Sequence, residues 1–218
     1  MGIFKNNKTS LPDFWRQYIG SFKEKPTTDV DQLTFVVLDT ETTGFDYKQD
    51  RILSIGALKL RNNNMAINES LEVYVDQEYY NAETAEIHGI LKKGKMKKVS
   101  EEEALEILLL YLGNAVIVAH HAQFDINMLN KALNRHQLPK LMNQVLDTSH
   151  LYKKTLLKSN LLEKKEHYTL DELAEKFDIS KADRHTAMGD AYITSIIFLK
   201  VLSKLKDKRE IDLKYLLK

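Results

Sequence analysis

Cysteine is absent from the 218 residues of this chain. Disulfide bonds, thiolate metal sites and a cysteine nucleophile are therefore excluded, and a metal ion would have to bind oxygen or imidazole ligands. Proline is scarce as well, with three residues, whereas 43% of the residues are apolar. A chain of this length and composition can bury one sizeable core, and we expect a single main domain.

Long hydrophobic runs and an excess of charge of one sign are also lacking. No stretch is long enough to span a bilayer, and the N-terminal MGIFKNNKTS does not have the apolar segment of a secretion signal. We therefore expect a soluble cytoplasmic protein with no membrane partner. The formal net charge is +1, so binding to nucleic acid must rely on local charge and not on the overall field.

The order of patterns along the chain predicts three segments. Aromatic residues recur at helical spacing between residues 10 and 22, which indicates an amphipathic helix followed by a polar linker. We expect residues 1–32 to form this helix and linker, residues 33–206 the main domain, and residues 207–218 a short charged tail. Because Trp15 lies on the apolar face, we expect the helix to pack on the domain.

Strand and helix patterns in the main domain predict an α/β fold. The runs TFVVLD, RILSIGALKL and SLEVYV indicate an antiparallel meander of three strands. From Ser100 onward, helical patterns alternate with the strand-like runs AVIVAH and QVLDT. We therefore expect a mixed five-stranded sheet, with an antiparallel meander followed by parallel strands and with helices on its faces.

Carboxylates lie at the ends of the predicted strands and at the start of a helix. Asp39 and Glu41 follow the apolar run FVVL, and Asp125 follows the fourth strand. His185 and Asp190 lie at the start of the last long helix. Taken alone, an Asp-x-Glu at a strand end is more often a solvated turn. Four oxygen donors that converge on one point, however, suit Mg²⁺ or Mn²⁺.

The motifs DTETTG, AHHAQFD and HTAMGDA resemble the three exonuclease motifs of the DEDDh group of DnaQ-like 3′ to 5′ exonucleases. This family includes the proofreading subunit of bacterial replicative DNA polymerase, RNase T and oligoribonuclease. The resemblance runs from about Thr34 to Leu205, with the motifs in the family's order. It implies a ribonuclease H-like fold. His185, five residues before Asp190, is typical of the h subtype.

The resemblance implies a role for each motif residue. Two divalent cations roughly 4 Å apart, Mg²⁺ or Mn²⁺, would activate water and relieve charge on the phosphate. Asp39 would bridge both cations. Glu41 and Asp190 would complete the site on the side of the nucleophile, and Asp125 would hold the second cation directly or through water. His185 would accept the proton of the attacking water, a role worth roughly 10²- to 10⁴-fold.

Residues next to the paired acids are expected to bind the substrate. Thr42, Gly44 and Phe45 occupy positions that meet the terminal nucleotide in the family, although ordinary packing is the alternative for Phe45. His88, in the segment EIHGI, would lie near the 3′ end.

Two more candidates come from the second motif. Phe124 directly precedes Asp125 and is expected to contact the substrate. His121 stands where the family usually has asparagine, so the polar contact made by that asparagine is in doubt here.

The resemblance favours an enzyme that acts on DNA 3′ ends, single-stranded or mismatched, in proofreading or repair. RNA trimming is the alternative within the enzyme class, because the motifs contact phosphate and metal and not the sugar. A non-catalytic nucleic-acid-binding module is the alternative of another class. The N-terminal helix is the candidate surface for a polymerase partner, and the oligomeric state is left open.

Overall fold

The computed structural model describes residues 11–23, 27–78, 89–90, 96–156 and 165–218, and within these ranges six strands form one mixed sheet. The order of the strands across the sheet is β4-β3-β2-β1-β5-β6. The strands are β1 (Thr34–Thr42), β2 (Ile52–Arg61), β3 (Asn64–Val75), β4 (Lys98–Val99), β5 (Val116–Ala119) and β6 (Val145–Asp147).

The pairing of the strands confirms the predicted meander and the predicted change to parallel strands. β1, β2 and β3 pair antiparallel, and Asn62 and Asn63, both with positive φ, form the turn between β2 and β3. β5 pairs parallel to β1, and β6 pairs parallel to β5. The α/β fold with a mixed sheet is therefore as expected.

The predicted number of five strands is wrong, because β4 was not anticipated. This edge strand has two residues and pairs parallel to Tyr74 and Val75 at the end of β3. Two residues are too few to show the alternation of apolar and polar side chains by which a strand is recognised. The strand forms because the edge of β3 offers unpaired backbone groups.

Helices cover both faces of the sheet. Helices α1, α2 and α3 contribute to one hydrophobic core, and α4 to α7 contribute to a second core on the other face. Among the described residues, no helix combines the length and the apolarity needed to cross a bilayer. The helices are α1 (Asp13–Gly20), α2 (Glu101–Leu112), α3 (Gln123–Arg135), α4 (Thr148–Thr155), α5 (Leu170–Lys176), α6 (Ala187–Lys206) and α7 (Leu213–Leu217).

Strand β1 lies in the middle of the sheet and contributes to both cores. Val36 and Leu38 belong to the core beneath α1 to α3, whereas Phe35 and Val37 belong to the core beneath α4 to α7. Successive side chains of a strand point to opposite faces. Odd-numbered residues of β1 therefore face α6, and this alternation decides where the acids at its end point.

Helix α1 packs on the domain, as predicted. Its aromatic side chains Phe14, Trp15 and Tyr18 are buried, and Trp15 is only 2% exposed. The hydroxyl of Tyr18 donates to Asn143 Oδ1 at 2.6 Å and accepts from the backbone N–H of Met142 at 2.8 Å. The aromatic face of α1 is therefore occupied within the fold and is not free for a polymerase partner.

The last residues of the chain also pack on the domain. In the segment 207–218, Leu213 and Leu216 of α7 are buried in the second core. The backbone N–H of Leu213 donates to the carbonyl of Thr28 at 3.1 Å. The polar segment before β1 and the end of the chain thus lie side by side.

Replacing Trp15 tests the packing of α1. Trp15→Ala is expected to lower the free energy of unfolding by about 3–5 kcal/mol, because it removes a large buried side chain and leaves a cavity. Urea denaturation followed by far-UV circular dichroism measures this change. Ile19→Ala on the exposed side of the same helix is the control and should cost less than about 1 kcal/mol. Equal effects of the two substitutions would contradict the packing of Trp15.

Candidate active site

Two acids leave β1 on the same face of the sheet. Asp39 and Glu41 are two residues apart in the strand, so both side chains point toward α6. Thr40, between them, points toward the opposite face. The spacing of the acids in the sequence therefore places two carboxylates side by side.

A glycine in β2 brings the third acid to this pair. Gly56 is paired with Asp39 across the sheet. A Cβ atom at Gly56 would lie 2.3 Å from the backbone of Ala187 and Met188, so no other residue allows the start of α6 to approach this closely. Asp190 lies in the first turn of α6 and is carried next to Asp39 by this contact.

Asp39, Glu41 and Asp190 form one close group. A carboxylate oxygen of each lies within 4.8 Å of those of the other two. Burial and the neighbouring acids raise the pKa of Asp39 well above its usual value, and burial and Asp190 raise the pKa of Glu41 to about 7. These are three of the four acids that were expected to converge, and Asp125 is the fourth.

The group has the properties of a divalent cation site. The Oδ1 atom of Asp190 is buried and has no hydrogen-bond partner within the described residues. An unpaired buried carboxylate oxygen is costly unless a cation or another donor reaches it. Three carboxylates at this separation are the hard oxygen ligands that Mg²⁺ and Mn²⁺ prefer. The residues present therefore fit such an ion.

Asp125 reaches the end of β1 from a different direction. It lies in the first turn of α3, and its Oδ1 accepts hydrogen bonds from the backbone N–H of Thr40 at 3.0 Å and from the Thr40 hydroxyl at 2.7 Å. Burial raises the pKa of Asp125 to about 7. Asp125 is not a member of the close group of three. It lies beside that group, with one oxygen engaged by Thr40.

An arginine that was not among the predicted site residues lies beside Asp190. The guanidinium of Arg184 donates through Nη1 to Asp190 Oδ2, and through Nε and Nη2 to the two carboxylate oxygens of Asp171 at 3.0 and 2.9 Å. Burial raises the pKa of Asp190, and the hydrogen bond and charge of Arg184 oppose that rise. In the sequence, only its position directly before His185 pointed to Arg184. A single arginine next to a motif does not by itself indicate a contact with the acids.

His185 lies in the turn that enters α6. Its side chain is exposed and its φ is 65°, a left-handed conformation that is uncommon for residues other than glycine. The next residue, Thr186, caps α6 by accepting a hydrogen bond from the backbone N–H of Gly189 at 3.0 Å. The turn therefore places the imidazole at the same end of α6 as Asp190.

The loop after the paired acids is held by a buried aspartate. Asp50 accepts hydrogen bonds from the hydroxyl of Thr43 at 2.7 Å and from the backbone N–H of Asp46 at 2.8 Å. Thr42 is buried, and its hydroxyl donates to the carbonyl of Gly44 at 2.8 Å. A Cβ atom at Gly44 would lie 2.5 Å from the Asp50 carboxylate. Thr42 and Gly44 thus shape this loop.

Aromatic rings lie on this loop and on α3. Phe45 is 81% exposed, and its ring centroid lies 5.6 Å from that of Phe124. Tyr47 lies on the same loop as Phe45, and its ring centroid is 5.8 Å from that of Phe124. Exposure of this degree excludes core packing as the reason for Phe45. His88, the remaining candidate of the first group, lies outside the described residues.

His121 lies in a group of imidazole rings. It has a positive φ of 55°, and its ring centroid is 4.4 Å from His120 and 5.9 Å from His167. His120 is buried, with hydrogen bonds to Thr148 Oγ1 at 2.8 Å and to the carbonyl of Tyr168 at 2.9 Å, and burial lowers its pKa to about 4. His120 is therefore a neutral structural residue, whereas His121 is exposed at the start of α3.

The raised pKa of Glu41 predicts a pH dependence of stability in EDTA. A carboxyl that binds its proton more tightly in the folded state stabilises the fold fully below its unfolded pKa, and this contribution is lost as the pH rises through about 7. Glu41→Gln removes this group. The difference in free energy of unfolding between the variant and the parent should therefore grow between pH 5 and pH 7, by up to about 1.4 kcal/mol per pH unit.

Urea denaturation at several pH values in EDTA measures that difference. Glu102→Gln, at an exposed position of α2, is the control for the loss of one surface carboxyl. Mg²⁺ or Mn²⁺ at pH 8 should restore stability to the parent. A constant difference between Glu41→Gln and the parent would contradict the electrostatic description of the group.

Comparisons with known proteins agree with this geometry. A family model described as Exonuclease matches residues 36–198. The chain is 31% identical over 188 residues to the DNA polymerase III subunit epsilon of Aquifex aeolicus, covering 85% of this chain and 88% of that protein. It is 35% identical over 173 residues to the PolC-type DNA polymerase III of Thermotoga petrophila, covering 79% of this chain but only 12% of that protein.

The similarity extends to solved structures. The crystal structure of E. coli Exonuclease I in complex with a dT13 oligonucleotide superposes with a TM-score of 0.66 at 20% sequence identity, covering 81% of this chain and 42% of that one. At this identity the likeness concerns the fold, which is the ribonuclease H-like fold that the sequence motifs implied.

Proposed function

Because this chain belongs to the exonuclease family, we propose that it is a 3′ to 5′ exonuclease that releases nucleoside 5′-monophosphates from DNA. The observation that carries the proposal is the group of Asp39, Glu41 and Asp190, with the buried unpaired Oδ1 of Asp190. We assign the exonuclease unit to residues 33–206. The chain spans about an eighth of the length of its PolC-type relatives. The proposal therefore concerns exonuclease activity alone and not the other activities of those larger proteins.

The acids form a platform for two divalent cations. Bound at this site, Mg²⁺ or Mn²⁺ would neutralise charge on the scissile phosphate and activate the attacking water. Asp39 is close enough to Asp125, Asp190 and Glu41 for all three to raise its pKa, and it would contact both cations. Glu41 and Asp190 would hold one of them. Asp125, whose Oδ1 is engaged by Thr40, would hold the other cation directly or through water.

His185 is the proposed general base. Its imidazole is exposed and lies in the turn that carries Asp190. Histidine is the residue type best suited to accept a proton near neutral pH. In this role His185 would take the proton of the water that attacks the phosphorus.

The terminal nucleotide is proposed to lie on the loop after Glu41. An aromatic ring exposed to solvent offers a face on which a base can stack. Phe45 provides such a ring, and the half-buried Phe124 lies against it with a centroid distance of 5.6 Å. Thr42 and Gly44 would bring the backbone to the terminal nucleotide, and His121 would contact the strand from the start of α3.

DNA is the favoured substrate because the similar proteins act in DNA synthesis or bind a DNA oligonucleotide. Two of them are DNA polymerase III proteins, and Exonuclease I was crystallised with a dT13 oligonucleotide. By the same reasoning we propose a polymerase as partner. Such a partner would use a surface other than the aromatic face of α1, which is buried in the fold.

Labelled oligonucleotides test the proposal. A 5′-labelled single strand with a free 3′ hydroxyl should shorten stepwise in Mg²⁺ or Mn²⁺, and a duplex with a mismatched 3′ end should be trimmed at that end. Closed single-stranded circles should survive. A 3′ phosphate should resist hydrolysis, because it adds about two negative charges beside the acids.

Several results would overturn the proposal. Immediate release of the 5′ label as a mononucleotide would indicate a 5′ exonuclease, and cutting of circles an endonuclease. Faster trimming of short RNA than of DNA would favour the RNA alternative. Protein that binds oligonucleotide but hydrolyses none would be a binding module.

A further inference from the structure

Arg184 holds two acids of different exposure. Its guanidinium makes a two-point contact with Asp171, Nε to Oδ1 and Nη2 to Oδ2, and uses its remaining nitrogen, Nη1, to contact Asp190. The side chain of Arg184 is 16% exposed, that of Asp190 is 9% exposed, and that of Asp171 is 45% exposed. The arginine therefore connects a surface acid on α5 to a buried acid on α6.

This contact distinguishes the two oxygens of Asp190. Oδ2 accepts the hydrogen bond from Arg184, whereas Oδ1 is buried and has no partner within the described residues. A carboxylate held at one oxygen cannot rotate freely about its last bond. Oδ1 is therefore the oxygen with unused lone pairs, and the contact with Arg184 restricts its direction.

The charge of Arg184 is largely matched by Asp171. A planar guanidinium facing a carboxylate through two parallel hydrogen bonds forms a strong and geometrically specific pair. The pair as a whole carries no net charge. It can therefore orient Asp190 while repelling a cation at the acidic group much less than an unmatched arginine would.

We propose that the pair of Arg184 and Asp171 is a positioning device that presents Oδ1 of Asp190 as a single-oxygen ligand to the divalent cation. Arg184 is then a positioning residue, not a catalytic one. This inference rests on the proposed function, since it takes the group of Asp39, Glu41 and Asp190 as the cation site. The competing description is that Arg184 is only a counter-ion that competes with the cation. The two descriptions predict opposite effects of removing it.

Binding of Mn²⁺ to metal-free protein, measured by titration calorimetry, separates the two descriptions. Removing a partner that orients a metal ligand typically weakens metal affinity 10- to 100-fold. Arg184→Gln and Asp171→Asn should each weaken Mn²⁺ binding by about that factor. The double variant should be no worse than Arg184→Gln alone, because both substitutions break one device.

A matched control is available on the other side of Asp171. Lys181 Nζ lies 3.9 Å from Asp171 Oδ1 and 2.6 Å from Glu175 Oε1. Lys181→Gln therefore removes a positive charge close to Asp171 and leaves the contact between Arg184 and Asp190 unchanged. Its Mn²⁺ affinity should stay within about threefold of the parent. Far-UV circular dichroism of each variant verifies the fold.

Chemical rescue excludes a purely structural effect. Arg184→Ala should regain Mn²⁺ affinity when guanidinium is added at low millimolar concentration, because the free ion can occupy the space of the lost side chain. Sodium chloride at the same ionic strength should not restore it. Failure of guanidinium to restore affinity would contradict the positioning role.

The outcomes also separate this inference from the proposed function. Tighter Mn²⁺ binding by Arg184→Gln would establish the counter-ion description, and unchanged binding would exclude both. In either case, loss of Mn²⁺ binding in Asp39→Asn would still support the proposed cation site. Parent protein that does not bind Mn²⁺, or Asp39→Asn that binds it as the parent does, would overturn the cation site together with this inference.

Discussion

Asp39→Asn is expected to abolish hydrolysis while leaving the fold intact. The substitution preserves volume but removes the charge of one of the three acids of the close group. Charge stabilisation by a metal ion is worth several kcal/mol in the transition state, so the rate should fall on the order of 10³-fold or more. The variant should also lose Mn²⁺ binding in calorimetry.

The stability of Asp39→Asn should move in the opposite direction from its activity. Burial and neighbouring acids raise the pKa of Asp39, so the ionised side chain destabilises the folded protein at neutral pH when no metal is bound. In EDTA at pH 8, the variant should resist urea at least as well as the parent. Asp46→Asn, in the loop that follows the site, is the control and should keep most of the activity. Activity of Asp39→Asn within tenfold of the parent would refute the site assignment.

Loss of His185 is expected to reduce turnover and not substrate binding. A general base acts in the transition state, so its removal should lower kcat by roughly 10²- to 10⁴-fold at neutral pH with a much smaller change in KM. Steady-state kinetics on a single-stranded oligonucleotide measures both quantities for His185→Gln. Mn²⁺ binding should be nearly unchanged.

The backbone at His185 calls for a second variant. Its φ of 65° is tolerated better by asparagine than by glutamine, so His185→Asn keeps the turn and removes only the imidazole. Both variants should show the same loss of turnover. His150→Gln, at an exposed position of α4, is the matched control and should behave as the parent. Turnover of His185→Asn equal to that of the parent would rule out the general base role.

The part of the site that could be predicted from the sequence depends on the periodic direction of side chains in strands and helices. Because side chains alternate along β1, the separation of Asp39 and Glu41 by one residue already implied a shared face. The third motif at a helix start implied the approach of Asp190, and Gly56 in β2 makes that approach possible. Local periodicity and strand ends were enough for these residues.

The part that could not be predicted depends on contacts between distant segments. Arg184 and Asp171 meet because α5 and the turn before α6 fold against each other, and no spacing of residue types encodes that meeting. Asp125 was expected beside the other acids, but its hydrogen bonds to Thr40 keep it at the edge of the group. Strand β4 was missed for a similar reason, since two residues carry no pattern.

The loop that carries Phe45 has a consequence for the ordering of the substrate. Asp50 holds the backbone of this loop from within, so the exposed ring of Phe45 projects from a fixed backbone. Fixing the backbone of one residue costs about 1–2 kcal/mol in conformational entropy. Here most of the backbone entropy is lost when the protein folds, before any nucleotide arrives. A strand shortened one nucleotide at a time would therefore meet the same aromatic surface, in the same position, at every step.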